Sequence, residues 1–430
     1  MPFHAIIGGQ RGDEGKGRFV DLVANDYTVI ARGNGGSNAG HTVVPEGMLP
    51  VALHQIPSGI AHPGKLNVIG TGVYLDPRRL ANEIAELEKA SMEVSPKNLV
   101  VSDTAHLVMP HHQALDALRE GGHKAQGSTQ SGIAYVAGDK YLREGLRVES
   151  LNNPKLLFDH AFEALKAVNA TLPKKDQRPE ADIRKEIEDW VKASQELLPF
   201  VADTVAIMND RLYQGEYVLG EGAQAFWLDI NHGMYPSVTS SSTTVAGLID
   251  GLGVAPKYVE KVSLVVKSVK SHVGGGPFVT EIKDTELAAV LRGDPNATDG
   301  EYGKTTQRPR RIGYPDLVEL KNAIRVNGAD ELLLSKLDHL PRYGKEVKVA
   351  TAYNYQGKER HSAPSSAAAL FDCEPIYQTL PTWEGDISKV RDFDKLPPEA
   401  AAFVKLIETE TDIPVTKVGV GAERNQVILR

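Results

Sequence analysis

Short apolar runs alternate along the chain with stretches whose apolar residues recur at helical spacing. The first run, residues 3–7, leads through a glycine-rich loop into a helical stripe that begins at Phe19 and Val20. The later apolar runs lie at residues 27–31, 66–69, 99–101, 217–219, 262–266, 332–334 and 347–350. The later helical patterns lie near residues 77–90, 110–119, 284–292, 314–327 and 397–410. This alternation predicts an α/β fold with a mostly parallel central sheet and helices on both faces.

The segment from residue 153 to residue 200 differs from its surroundings. It is dense in lysine and glutamate, and its apolar positions, such as Ile183, Ile187 and Trp190, follow the helical period. We interpret it as a helical insertion packed on the main domain, with a separate subdomain as the alternative. The expectation is therefore a single enlarged α/β domain over residues 1–430, with residues 415–420 returning as a terminal strand.

The amino-acid composition limits the binding partners and the cellular location that we expect for this chain. The chain has 48 basic and 56 acidic residues, a net charge of −8, so its overall field repels polyanions and nucleic acid is not an expected partner. The single cysteine, Cys373, cannot form an internal disulfide, which is typical of a reducing compartment. No apolar stretch approaches membrane-spanning length, and the first residues lack the basic start of a signal peptide. We expect no membrane association and a cytoplasmic location.

Two glycine-dense loops follow the first two predicted strands. Residues 8–17 contain five glycines and Lys16 just ahead of a predicted helix, which are the ingredients of a phosphate-binding loop. The spacing is one residue longer than in a standard P-loop, and Gly17 stands where a serine or threonine would bind magnesium. A simple strand-to-helix turn remains the alternative. The second loop, residues 32–41, ends at His41, and both loops are expected to face one crevice.

A set of ordered motifs resembles the adenylosuccinate synthetase family. The glycine-loop motifs are Gln10, residues 12–17 and residues 36–42. The later motifs are residues 221–224, 232–236, 238–241, 273–278, 308–311 and 336–338. The resemblance extends from residue 3 to the C-terminus. It implies a P-loop-NTPase-like fold with a modified phosphate loop, and a GTP-dependent ligase that joins IMP to L-aspartate through a 6-phosphoryl-IMP intermediate.

The resemblance also implies roles for individual residues. Asp13 is the general base that takes the purine N1 proton, and His41 is the acid near O6 and the transferred phosphoryl group. Lys16 contacts the transferred phosphates, and Gln224 completes the catalytic set. Asp13 and the backbone carbonyl of Gly40 are the implied ligands of Mg²⁺, a cation that prefers oxygen.

The implied binding residues form two further groups. The GTP site comprises Gly12, Gly15, Lys16, Gly17, Gly40, His41, Thr42, Lys336, Asp338, Gly419 and Gly421. The IMP and L-aspartate sites comprise Asp13, Asn38, Thr129, Arg143, Gln224, Thr239, Val273, Thr305, Thr306, Arg308 and Arg310. In the family Arg143 comes from the neighbouring subunit, so the resemblance implies a homodimer with shared sites.

Several positions depart from the family pattern around the ligands. Arg11 replaces an aromatic residue, Gln130 and Ser131 stand where the family has Gly-Arg, and Gln307 replaces a glycine. The loop at residues 419–424 lacks the usual serine and proline. These changes leave two alternatives to IMP ligation: a variant that succinylates another purine nucleotide such as dGMP, and a GTP-binding switch without ligase activity. Retention of the carboxylate at Asp13 favours IMP.

Overall fold

A ten-stranded sheet forms the centre of the computed structural model, which describes residues 2–43, 51–122, 127–295, 297, 300–303 and 308–430. The strands in chain order are β1 (Phe3–Gly8), β2 (Val29–Arg32), β3 (His41–Val43), β4 (Val51–Leu53), β5 (Leu66–Ile69), β6 (Tyr74–Leu75), β7 (Leu99–Ser102), β8 (His106–Leu107), β9 (Val201–Ala202), β10 (Val218–Glu221), β11 (Val259–Lys267), β12 (Lys270–His272), β13 (Arg311–Gly313), β14 (Glu331–Ser335), β15 (Glu346–Tyr355), β16 (Lys358–Arg360), β17 (Cys373–Pro381), β18 (Val415–Gly419) and β19 (Val427–Leu429). The central sheet has the order β19-β18-β14-β11-β1-β10-β2-β5-β7-β9. All its neighbours pair in parallel except β18 and β19.

Both faces of this sheet are buried. Successive side chains of a strand point to opposite faces, and along β1 Ala5 and Ile7 join one core cluster while Ile6 joins another with Phe19 and Val20 of the first helix. Each fully buried valine, isoleucine or phenylalanine side chain contributes about 1.5–3 kcal/mol relative to an exposed one. The near-continuous apolar sequence of the central strands therefore follows from their burial on two sides.

Twelve α-helices accompany the strands in the described part of the chain. They are α1 (Lys16–Val23), α2 (Pro77–Lys89), α3 (Pro110–Glu120), α4 (Ile133–Leu142), α5 (Pro154–Ala170), α6 (Glu180–Gln195), α7 (Thr204–Tyr213), α8 (Val245–Leu252), α9 (Thr285–Arg292), α10 (Leu317–Asn327), α11 (Ala367–Phe371) and α12 (Pro398–Thr411). Local chemistry fixes several starts: the Asp76 carboxylate caps α2 by accepting from Arg79 N, and Pro77 occupies its first turn. None of the helices built from described residues is long and apolar enough to cross a bilayer.

Residues 153–200 are helical, as the pattern predicts. Helices α5 and α6 contribute Leu157, Ile187 and Trp190 to a cluster that also contains Leu99 and Val101 of β7. The helices thus pack against the β5–β7 end of the sheet. Their treatment as an insertion in one enlarged domain stays a prediction.

One element of the sequence interpretation was wrong. The apolar run at residues 347–350 belongs to β15, which pairs with β16 and β17 in a separate antiparallel sheet and not in the central one. Val347 and Val349 are buried while Lys348 between them is exposed. That alternation is typical of a strand with one solvated face, which antiparallel sheets tolerate and buried parallel sheets do not.

Candidate active site

A cavity of about 970 Å³ opens where the parallel strands end. Strands β1, β2, β10, β11 and β14 all present their carboxyl ends at one edge of the sheet, and the loops that leave them line the cavity. This is the edge where open α/β sheets bind ligands. The predicted site residues that line the cavity are Gly12, Asp13, Gly15, Lys16, Gly17, Asn38, Gly40, His41, Thr129, Gln224, Thr239, Val273, Arg310, Lys336, Asp338 and Gly421.

The glycine loop directs Asp13 into this cavity. Gly12, Asp13 and Gly15 all adopt positive φ, at 99°, 57° and 90°, which turns the chain sharply between β1 and α1. Glu14 is buried inside the loop, where its carboxylate accepts from Gly12 N at 2.7 Å and from Lys16 Nζ at 2.8 Å. The loop is therefore braced from within, while the Asp13 side chain stays about one-third exposed.

Cations surround the Asp13 carboxylate. Arg310 Nη2 lies 2.7 Å from Asp13 Oδ2. Burial alone would raise the pKa of Asp13, but Arg310, Lys267 and Lys16 together outweigh it and hold the pKa below its usual value. The side chain is thus an anion in the resting site, positioned to accept a proton or to hold a cation.

His41 begins β3 and is held by a carboxylate that the sequence interpretation had not assigned. Its Nδ1 bonds to Glu221 Oε1, and Glu221 Oε2 also accepts from Ser58 N at 2.7 Å. Burial lowers the pKa of His41 more than Glu221 raises it, and His41 in turn helps to hold the pKa of Glu221 at about 2 despite its burial. The pair fixes the ring so that Nε2 is left for a reaction partner. The sequence signals for Glu221 are its place after the predicted strand at residues 217–219 and its position in the motif at residues 221–224, and neither assigned it a role.

Three amide and hydroxyl side chains converge on the other side of the cavity. Gln224 Nε2 donates to Asn38 Oδ1 at 3.3 Å, and Asn38 Nδ2 donates to Thr239 Oγ1 at 3.4 Å. Gln224 Oε1 is buried and has no hydrogen-bond partner among the described residues. A buried acceptor of this kind is costly unless a ligand satisfies it.

Two positions that depart from the family pattern are occupied by well-packed side chains. Arg11 is buried, pairs with Glu319 of α10, donates to Pro277 O at 2.7 Å and lies over the ring of Phe278. Ser131 is fully buried, with its Oγ 2.9 Å from Thr129 Oγ1. Both side chains therefore interact with the protein itself.

Other predicted site residues lie at or beyond the cavity rim. Gly419 ends β18 next to the Arg18 guanidinium and does not line the cavity, and Thr42 lies in β3. Arg308 is exposed, with its Nη1 near Gly127 of the cavity wall. Arg143 is exposed at the C-terminal end of α4 and lies outside the cavity. Thr305, Thr306 and Gln307 lie outside the described residues.

Hydrogen bonds account for two members, His112 and Asp139, of a histidine cluster outside the cavity. His111, His112 and Asp139 bring three possible metal-ligating atoms within 4.8 Å of one another. However, His112 Nδ1 accepts from Met109 N at 3.0 Å, so its Nε2 keeps the proton and donates to Asp139 Oδ2 at 2.8 Å. A metal on that nitrogen would have to displace this proton. His112 and Asp139 thus form part of the cap of α3 and its contact with α4.

Comparison with known proteins agrees with this site. The adenylosuccinate synthetase family model matches residues 5–428. The chain is 41% identical to the adenylosuccinate synthetase of Caldicellulosiruptor saccharolyticus, with 99% of this chain and 98% of the relative covered. It is 40% identical to that of Lawsonia intracellularis over the whole of both chains.

Solved structures give the same result. The fully ligated adenylosuccinate synthetase of Plasmodium falciparum matches with a TM-score of 0.87 and 31% identity, covering 99% of both chains. The succinoaminodeoxyadenylate synthetase of cyanophage S-2L, bound to dGMP and dATP, matches with a TM-score of 0.58 and 20% identity, covering 100% of this chain and 95% of that one, which shows a shared fold alone. The chain therefore belongs to the adenylosuccinate synthetase family and has the carbon–nitrogen ligase activity of that family.

Proposed function

We propose that the chain joins IMP to L-aspartate, forming adenylosuccinate, GDP and phosphate through 6-phosphoryl-IMP, and that it does so in the cytoplasm. Family membership itself implies the use of GTP. The observation that carries the proposal is the convergence of Asp13, Lys16, His41 and Gln224, from three different strand ends, on one cavity. Family membership also argues against the GTP-binding switch, since that alternative lacks ligase activity.

The geometry supports a separate role for each residue in the two steps of the reaction. In the first step Asp13 accepts the proton from purine N1 while O6 attacks the γ-phosphorus of GTP and GDP leaves. His41, oriented by Glu221, supplies a hydrogen bond from Nε2 in its protonated form, which the negative charge developing on the transferred group favours. In the second step the amine of L-aspartate attacks C6 and expels phosphate. Arg308 and Arg310 are the proposed partners of the substrate carboxylates.

The residues present suit a magnesium ion. Arg310 engages Oδ2 of Asp13, the carboxylate remains about one-third exposed, and Gly40 lines the same cavity. A carboxylate and a backbone carbonyl are hard oxygen ligands, which Mg²⁺ prefers together with phosphate oxygens. We propose that Asp13 and Gly40 hold the ion, which when bound neutralises charge on the phosphates of GTP.

The donor base is proposed to lie beside β14. Lys336, in the left-handed conformation with φ of 59°, turns the chain out of the strand, and Asp338 follows in the cavity wall. Asp338 Oδ1 is buried without a hydrogen-bond partner among the described residues. A carboxylate there can accept from guanine N1 and N2 together, and adenine offers no such pair of donors.

The choice of acceptor is tested directly by turnover. IMP, GMP and dGMP are each supplied with GTP or ATP, with and without L-aspartate, and succinylated purine and phosphate are measured. We expect product only when IMP, GTP and L-aspartate are all present. Product from dGMP with none from IMP would instead assign the chain to the variant that succinylates guanine nucleotides.

We also propose a homodimer in which Arg143 reaches the site of the other subunit. Arg143 is exposed beside Tyr141 and Leu142, which are 80% and 63% exposed, and this supports a covered surface. Asp13→Asn and Arg143→Ala variants should each be inactive alone. Mixed in equal amounts with full exchange of subunits, they should recover about a quarter of wild-type activity, because half of the dimers carry one intact site. No recovery in an exchanged mixture would contradict the shared site.

A further inference from the structure

Glu301 is a fully buried carboxylate behind the cavity wall, and it has no role in the function derived so far. Its Oε2 accepts from Ser271 Oγ at 2.6 Å, from Arg310 Nη1 at 2.6 Å and from Lys267 Nζ at 3.2 Å. Its Oε1 accepts from Lys336 Nζ. One carboxylate therefore binds four donors, three of which are cationic.

These donors belong to different parts of the active site. Arg310 also binds Asp13 through Nη2, so it belongs to the acceptor side, where the purine is activated. Lys336 follows β14 and lies two residues before Asp338, on the side proposed for the donor base. Lys267, at the end of β11, lies between them with Nζ 3.4 Å from Asp13 O. Glu301 thus contacts both halves of the site.

The three cations around Glu301 make its contacts sensitive to binding of the donor nucleotide and of the purine acceptor. Burial raises the pKa of Glu301, but Lys267, Lys336 and Arg310 outweigh it and keep the pKa well below its usual value. The carboxylate therefore stays ionised, in a region where charges are weakly screened. A ligand that draws Arg310 or Lys336 toward itself leaves more of the Glu301 charge to the remaining cations, and so changes how they are held.

We propose that Glu301 is a positioning residue that couples binding of the donor nucleotide beside Lys336 to binding of the purine acceptor beside Asp13 and Arg310. The proposal rests on the assignment of these two sides in the proposed function. It requires that each nucleotide tighten the binding of the other by the same factor, since coupling between two binding sites is reciprocal.

The coupling is measured by calorimetry. The dissociation constant of a non-hydrolysable GTP analogue with Mg²⁺ is determined with and without saturating IMP, for the wild-type chain and for Glu301→Gln. In the wild type we expect IMP to tighten binding of the analogue by about fivefold or more. In Glu301→Gln, which keeps the shape and removes the charge, we expect the ratio of the two dissociation constants to fall to within about twofold of one.

A nearby carboxylate provides the matched control. Glu281 pairs with Arg311 Nε at 2.6 Å, next to Arg310 in sequence, and its other ion pair is with the exposed Lys283 rather than with a member of the Glu301 network. Glu281→Gln should leave the ratio at its wild-type value. Glu301→Asp retains the charge with shorter reach and should give an intermediate ratio, which keeps the test open if Glu301→Gln does not fold.

Each outcome decides the proposal. The proposal is overturned if the ratio of the two dissociation constants is near one in the wild-type chain. It is also overturned if Glu301→Gln has the same ratio as the wild type or, where that variant does not fold, if Glu301→Asp does. If Glu301→Gln raises the dissociation constant of the analogue by the same factor with and without IMP, the role of Glu301 is purely structural and the proposal is overturned as well. The proposed function is tested separately, because turnover of IMP, GTP and L-aspartate is measured on the wild-type chain alone. Its failure is therefore distinguishable from failure of the coupling proposal.

Discussion

Replacement of Asp13 by asparagine is expected to lower kcat by about 10²- to 10⁴-fold, the range for loss of a general acid or base. Asparagine has the shape of aspartate and tolerates the left-handed backbone conformation at this position, where φ is 57°, so the glycine loop should keep its course. Its amide cannot take the proton from purine N1. Steady-state formation of adenylosuccinate, followed by absorbance, measures the loss, and calorimetry with IMP should show that the acceptor still binds.

The chain offers a close control for this substitution. Asp412 is exposed at the end of α12 and has φ of 58°, so Asp412→Asn makes the same chemical change in the same backbone conformation, away from the cavity. We expect wild-type turnover from it. Excess Mg²⁺ should not restore Asp13→Asn, since the missing function is a base as well as a ligand. A variant at Asp13 that turns over within about twofold of wild type would refute the assigned base.

Much of the fold follows from periodicity. The runs at residues 66–69, 262–266 and 332–334 are β5 and parts of β11 and β14, because strands buried on both faces must be apolar at successive positions. The run at residues 347–350 looked similar but belongs to an antiparallel sheet. Its polar alternation was visible in the sequence and was the signal that separates the two cases.

For the candidate site, the sequence predicted the loops and their main residues but not the buried residues that hold them. Ordered motifs identified the loops, and the carboxyl ends of parallel strands bring Asp13, His41 and Gln224 to one cavity. The buried partners were not identified, because Glu221 and Glu301 touch residues 180 and 35 positions away in sequence. Such pairings depend on how the strands are ordered in the sheet, which local patterns do not encode.

The second large effect is expected at the pair formed by His41 and Glu221. His41→Asn should lower kcat by about 10²- to 10⁴-fold, since asparagine cannot place a proton or a cationic donor at the transferred group. Glu221→Gln should also lower kcat, because the uncharged amide no longer stabilises the imidazolium and one of its hydrogens faces either His41 or the N–H of Ser58. His232→Asn, at an exposed histidine of another motif, is the control and should be silent.

The double variant tests whether the two residues act as one unit. If Glu221 contributes to catalysis through the ring that it orients, then Glu221→Gln should cost almost nothing further once His41 is asparagine. The measurement is the double-mutant cycle in kcat, with thermal unfolding of all four proteins recorded alongside it. Multiplicative losses would mean that Glu221 supports the site independently of His41, through Ser58 and the loop that carries it, and the positioning role assigned here would then be wrong.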